Sequence, residues 1–286
     1  MVTYFKAELL AYKTDDFQMK KVMLLFPPEW VPTAPYLALP TLTAVLRQNG
    51  VSVVQKDVNV EAFDHYFTRE FLEFTKQRLE QRIKDYKLKE RAGQLTDEDR
   101  QVLELFYNYT FSDLKHHAKK VKRAKEIVRS GEFYSIDKAE WALNAFREVM
   151  EFISVTYYPA AINFYPVESN LNKYRSWVSG DLLKAADDEN VNIFIHVCQQ
   201  LVFPDIDKEQ PNLVGISIGT PLQLMSGMTF AKLIKKQYPN IHVTVGGNIV
   251  TRLKKEFAGK KEFFDQCIDS FICYEGEHAL LELVEA

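Results

Sequence analysis

Abundant cysteine, long apolar runs and an excess of one charge sign are all missing from this sequence, and each absence removes a class of protein. With only Cys198, Cys267 and Cys273, the even-numbered disulfide framework of a small secreted scaffold is unavailable. The spacing of Cys267 and Cys273 fits no common zinc pattern, so all three are expected to be plain buried thiols. No stretch approaches the roughly 18 uninterrupted apolar residues of a membrane span. Met1 to Lys21 mixes Lys, Glu and Asp instead of forming a signal-peptide core. A cytoplasmic protein with no membrane partner is the expectation. The formal net charge of -3 gives no global attraction to nucleic acid, which is not expected as a partner. Neither Gly-x-Gly-x-x-Gly nor a P-loop pattern occurs, so direct phosphate cradling has no motif behind it.

What is present is a chain of 286 residues, 47% of them hydrophobic, enough for one large domain or two modest ones. "KKVMLLFPPEW" reads as an apolar strand, Val22 to Phe26, halted by Pro27-Pro28. "LALPTLTAVLRQNG" follows as an amphipathic helix with Leu39, Leu42, Val45 and Leu46 on one face and Gly50 at its C-terminus. "VSVVQKDVN" is a second strand ending at Asp57. The same alternation returns near the C-terminus. "PNLVGISIGT" is a strand from Leu213 to Ile218, and "LQLMSGMTFAKLIKKQYPN" is a helix stopped at Pro239. "IHVTVGG" is another strand, a helix begins at about Thr251, and "IDSFICYEGEHALLELVEA" gives a strand, a turn and a helix. Strands alternating with helices predict an α/β fold: a doubly wound, flavodoxin-like parallel sheet of order 2-1-3-4-5 with helices on both faces.

A large all-helical insertion is expected between strands 2 and 3. Residues 1–64 and 211–286 then form the two parts of the α/β domain, and residues 65–210 form a helical insertion or cap. In "DKAEWALNAFREVMEFI", Asp137 and Glu140 have capping-box spacing, and Ala142, Ala145, Phe146, Val149 and Ile153 make an apolar face. The basic run "KKVKRAKEIVR", Lys119 to Arg129, is expected as a solvated helix face rather than a nucleic-acid or phosphate site. His116-His117 open that stretch and are expected in solvent. His196, inside "NIFIHVC", is expected as a hydrogen-bonded core side chain and not a metal ligand.

Doubly wound sheets bind ligands beyond the carboxyl ends of their strands, near the switch point, and every strand here ends in unusual residues. Pro27 and Pro28 follow the first strand, and Asp57 and Asn59 the second. Ser217, Gly219 and Thr220 end the third, with Gln223 close behind. Gly246, Gly247 and Asn248 end the fourth, and Glu275, Gly276 and Glu277 the fifth. Glycines permit close backbone approach, hydroxyls donate without bulk, and carboxylates accept from amides or hydroxyls. Singly, each feature has a structural explanation: a turn cap, a strand stop, a tight turn. Together they suggest an edge for a large polar ligand. None is read as catalytic or as a metal ligand.

The stretches "KVMLLFPP...LALPTLTAVLRQNGVSVVQKDVNVEAFD", "PNLVGISIGTPLQLMSGMTFAKLIKKQYPNIHVTVGGNIV" and "IDSFICYEGEHALLELVEA" resemble the N-terminal cobalamin (vitamin B12)-binding domain of cobalamin-dependent radical S-adenosylmethionine enzymes. Tyr274-Glu275-Gly276-Glu277 stands where that family has a GEGE-like sequence. The resemblance covers about Lys21 to Asp64 and Pro211 to Ala286 and not the insertion. It implies a Rossmann-like domain holding cobalamin, with Gly246 and Gly247 bordering the groove that receives its nucleotide tail. Asp57 is followed by Val58, Asn59, Val60 and Glu61, so the Asp-x-His-x-x-Gly of the classical cobalamin module is absent, and the family implies binding without a histidine on cobalt. The cysteines cannot supply the Cys-x3-Cys-x2-Cys that holds the [4Fe-4S] iron-sulfur cluster. The cluster, S-adenosylmethionine and a C-terminal radical domain are therefore expected beyond Ala286, and this portion is expected not to be catalytic alone. The family's chemistry, commonly that of a methyltransferase, implies a peptide or natural-product substrate. Two other readings stand beside this one. One is a flavin or nucleotide module. The other is a cofactor-free flavodoxin-like interaction module whose insertion, including "VTYYPAAINFYP" (Val155 to Pro166), binds a partner or leader peptide.

Overall fold

The structure, a computed structural model, describes residues 21–32, 34–109, 114–163 and 168–286. Apart from Lys21, the charged opening stretch lies outside the described residues, as does the end of the aromatic segment, 164–166. The chain divides into two compact units, residues up to Ala62 with Tyr174–Ala286, and Phe63–Lys173.

The sheet unit opens with β1 (Lys21–Phe26), α1 (Ala38–Gln48), β2 (Ser52–Asp57) and the start of α2 (Val58–Tyr66), inside which the boundary between the units falls. The inserted unit then carries α3 (Arg69–Arg91), α4 (Asp97–Asn108), α5 (Leu114–Val128), α6 (Ile136–Thr156) and the strands β3 (Ala161–Asn163) and β4 (Glu168–Asn170). The sheet unit resumes through α7 (Ser179–Ala185), α8 (Ile193–Val197) and α9 (Phe203–Glu209). It continues with β5 (Leu213–Ser217), α10 (Gln223–Gln237), β6 (His242–Gly246) and the short helices α11 (Asn248–Arg252), α12 (Lys254–Ala258) and α13 (Lys261–Gln266). β7 (Ser270–Phe271) and α14 (Gly276–Glu285) complete it.

The sheet is five-stranded, in the order β2-β1-β5-β6-β7, and every pair is parallel. With the sheet strands alone numbered, this is the expected flavodoxin-like 2-1-3-4-5. β1 and β5 are buried almost throughout, as central parallel strands covered on both faces must be. Val22, Leu24, Phe26 and Leu213 from the sheet pack with Leu39 and Leu46 of α1 and Leu280 and Val284 of α14. Phe26 lies opposite Asp57, and Ser217 opposite Gly246. Their strands therefore finish together at the edge where the sequence concentrates its glycines and polar residues.

Residues 174–210, expected within the insertion, belong to the sheet unit. Asn192 shows why: its Oδ1 caps α8 by accepting from Phe194 N at 3.0 Å, and its Nδ2 donates to Ala185 O and to Thr229 Oγ1 on α10, each at 2.9 Å. Lys232 of α10 also donates to Leu183 O at 2.8 Å and pairs with Asp187 at 2.6 Å. The segment is thus a cover for α10.

The inserted unit is built on helical stripes but is not wholly helical, since β3 and β4 pair antiparallel. The expected face of α6 is buried at Ala142, Ala145, Phe146, Val149 and Ile153. The expected Asp137/Glu140 box does not form there, because α6 begins at Ile136 with Ser135 as N-cap and Asp137 falls inside the first turn. A capping box does form on α4: Asp99 N donates to Thr96 Oγ1 at 3.0 Å, and Thr96 N to Asp99 Oδ2 at 3.1 Å. The basic face of α5 is met by carboxylates, with Lys120 at 2.6 Å from Glu148, Arg123 at 2.7 Å from Glu132, and Lys125 at 2.8 Å from Asp64. Partial burial pushes Asp64 upward, but Lys125 and Arg129 outweigh it and hold its carboxyl below the usual range. Among the described residues, no helix is long and apolar enough to cross a membrane.

Candidate functional site at the carboxyl edge of the sheet

The loops after β1 and β5 are fastened together by one buried side chain. Gln223, with no exposed surface, donates from Nε2 to Pro27 O at 2.6 Å and accepts at Oε1 from Gly219 N at 2.9 Å and Thr220 N at 3.3 Å. Ser226 Oγ donates to Pro28 O. After β2, Asp57 Oδ1 accepts from Val60 N at 3.0 Å and so caps α2, while buried Asn59 accepts at Oδ1 from Trp30 N at 3.0 Å. Thr220 Oγ1 is buried without a hydrogen-bond partner. Of the sequence-predicted residues, Pro27, Pro28, Asp57, Asn59, Gly219, Thr220 and Gln223 shape this edge but do not line its cleft.

The cleft, of about 340 Å³, brings together all the others but Gly246: Ser217, Gly247, Asn248, Glu275, Gly276 and Glu277. Tyr36, Thr251 and Tyr274 join them, and sequence reasoning missed all three. The Tyr36 ring stacks on Phe26 with centroids 4.3 Å apart and planes 12° from parallel, which fixes one wall. On the other side, Thr251 Oγ1 donates to Gly247 O at 3.1 Å and accepts from Tyr274 N at 2.8 Å, tying the β6 loop to the β7 loop. Tyr274 has φ of +65°, a conformation that side chains disfavour. Lys254 Nζ bonds its hydroxyl and lies 4.8 Å from its ring centre. Glu275 and Glu277 stand at the start of α14, where the helix dipole favours negative charge.

A narrower slot of about 40 Å³ adjoins the cleft and has Leu24, Leu39, Gly215, Thr244, Gly246 and Leu280 among its walls. Leu42, Ser217, Ile272 and Gly276 border both spaces. The slot lies between the sheet and the two helices α1 and α14. Gly215 leaves this face of β5 bare: a β-carbon there would sit 3.0 Å from Leu24 Cδ2. The double glycine divides in two. Gly246 borders the slot, and an added β-carbon would make only ordinary contact, 3.4 Å from Ile272 O. Gly247 has φ of +105°, and its β-carbon would fall 2.5 Å from Ile218 O, so backbone geometry alone requires a glycine there.

The thiols are poor ligands. Burial raises Cys198 well above its ordinary value, pushes Cys267 up to about 12, and raises Cys273 with Lys254 partly offsetting it. Among the described residues, no group of three or more His, Cys, Asp or Glu is placed to hold a metal ion. His196 is half-buried on α8.

The chain is an α/β protein with a flavodoxin-like parallel sheet and a cleft at the carboxyl ends of its strands. Compared with protein-family models, with curated proteins and with solved structures, it matches none.

Proposed function

We propose that the sheet unit is a cobalamin-binding domain of the kind that precedes the catalytic part of cobalamin-dependent radical S-adenosylmethionine enzymes. The observation that carries this reading is the pairing of an open, polar-rimmed cleft with a narrow apolar slot at the strand ends. Cobalamin has a broad polar face and a thin, flat tail, and would present the face to the cleft and the tail toward the slot. The residues present fit the group. Gly215 and Gly246 add no side chain to the slot, and Thr244 Oγ1 is buried beside it without a hydrogen-bond partner.

Glu275 and Glu277 accept from amide N–H groups at the ligand's edge, and their charge works against a terminal phosphate, which favours cobalamin over FMN. Asp57 is engaged in capping α2, and no histidine is among the residues lining the cleft, so none of these residues would serve as a histidine ligand to cobalt. Bound cobalamin supplies methyl transfer or related radical chemistry, while this chain orients it and shields its buried side from water. On this reading the [4Fe-4S] cluster, S-adenosylmethionine and the peptide or natural-product substrate belong to a partner domain.

Incubation with hydroxocobalamin or FMN, followed by desalting, tests the proposal. Corrinoid absorbance is expected to stay with the protein and flavin absorbance to be lost. Retention of FMN, or of neither, overturns it.

A further inference from the structure

We infer that the Tyr274 side chain is a ligand-contacting wall of the cleft, kept there at a cost to the fold, against which an apolar flank of the ligand packs. The inference rests on the cleft being the ligand site proposed above. Among the described residues, Asn172, Gln210 and Tyr274 are the ones that carry a side chain at positive φ. Asparagine tolerates that conformation. Gln210 takes it where it closes α9, a usual place for it. Neither reason applies to Tyr274, at φ of +65°, where a bulky side chain is an outlier.

No structural gain offsets that strain. The turn is held by the Tyr274 main-chain N–H, which donates to Thr251 Oγ1 at 2.8 Å, and a glycine would supply the same N–H without strain. The ring is 51% exposed, so its burial contributes little. Lys254 bonds the hydroxyl and lies 4.8 Å from the ring centre, but such contacts at the surface are weak. What the side chain does have is a place, since it lines the cleft with Tyr36, Glu275 and Glu277. Backbone strain of this kind gathers at ligand sites, where it pre-organises a contact. Lys254 holds the ring before a ligand arrives, so binding freezes little of its freedom. The ring packs on apolar ligand surface, while Glu275 and Glu277 accept N–H groups from the edge of that surface. The methyl-bearing, amide-carrying rim of a corrinoid has this chemistry.

Thermal unfolding and equilibrium dialysis of Tyr274→Gly, Tyr274→Asn and Tyr274→Phe in the full chain test this, with hydroxocobalamin and the tail-less corrinoid cobinamide as probes. Without ligand, the Gly and Asn variants are expected to unfold at or above the parent's temperature, because the left-handed turn no longer carries a bulky side chain. Both should bind each corrinoid about tenfold more weakly than the parent, whereas Tyr274→Phe, which keeps the ring, should stay within about threefold. A Phe variant as weak as the Gly variant, a loss confined to hydroxocobalamin, or Gly and Asn variants that unfold below the parent overturn the inference, the last by giving the ring a structural role. Parent uptake of corrinoid that is indifferent to Tyr274 defeats this inference alone. A parent that takes up neither corrinoid defeats the cobalamin reading and this inference with it.

Discussion

Gly247 crosses the backbone of Ile218 so closely that a β-carbon would lie 2.5 Å from the Ile218 carbonyl oxygen and 2.9 Å from its carbon. Its φ of +105° and ψ of 178° fall where essentially only glycine is found. Gly246, its neighbour, has neither constraint. The two glycines therefore serve different ends. Gly247→Ala is expected to destabilise the protein by about 2 kcal/mol or more. Gly246→Ala should fold with a cost under about 1 kcal/mol and yet weaken hydroxocobalamin binding about tenfold, because the added methyl narrows the slot. Urea unfolding and dialysis on both variants check the split, and equal loss of stability in the two would contradict it.

The double glycine also shows where sequence reading reaches its end. Strands with apolar runs stopped by Pro27, Asp57, Gly219 or Gly247 were legible because burial on both faces and strand-ending residues leave a pattern. The same held for the order of the sheet, since right-handed crossovers leave few alternatives. Residues 174–210 were grouped with the insertion because their helical pattern looks the same wherever it packs. Only Asn192 bonding Thr229, and Lys232 bonding Leu183, reveal the neighbour. Thr244 was hidden for another reason. In "HVTVGG" it looks like one more β-branched strand residue, and an unsatisfied hydroxyl is a property of its surroundings. A polar residue inside a strand buried on both faces was the available signal.

Gln223 was expected to touch ligand, and its amide is instead occupied by Pro27 O, Gly219 N and Thr220 N. Gln223→Leu leaves these groups without their partner in a buried setting, and a loss of about 3 kcal/mol is expected in urea unfolding. A variant as stable as the parent would show that the staple contributes nothing net.

Acid should weaken the fold before the carboxylates titrate. Burial holds the His242 imidazole below its ordinary value of 6.5, with Asp269 opposing and Lys235 reinforcing the shift. Burial likewise lowers His65. The unfolded chain then binds protons that the folded chain refuses. Their stabilisation is complete above about pH 6.5 and is lost as pH falls from there toward the folded values. The urea midpoint is expected to drop as pH falls below about 6.5, and His242→Gln should flatten that drop. An identical slope in the variant would contradict the assignment.

The buried thiols predict slow chemistry. In the folded protein Cys198 and Cys267 should resist an aromatic disulfide reagent that titrates all three cysteines after unfolding in urea, because burial keeps them protonated. Anaerobic treatment with iron and sulfide should leave no [4Fe-4S] electron paramagnetic resonance signal after reduction. Rapid native labelling of Cys198, or a stable cluster, would contradict this.

Equilibrium dialysis of the protein against hydroxocobalamin, with the tail-less corrinoid cobinamide as comparison, tests the central claim most directly. The predicted result is stoichiometric cobalamin uptake, unchanged by His65→Ala, His196→Ala or His242→Ala in folded protein. Cobinamide should bind about tenfold more weakly because the slot stays empty. Absence of cobalamin uptake, equal affinity for the two corrinoids, or uptake abolished by one of those histidine changes would contradict the account.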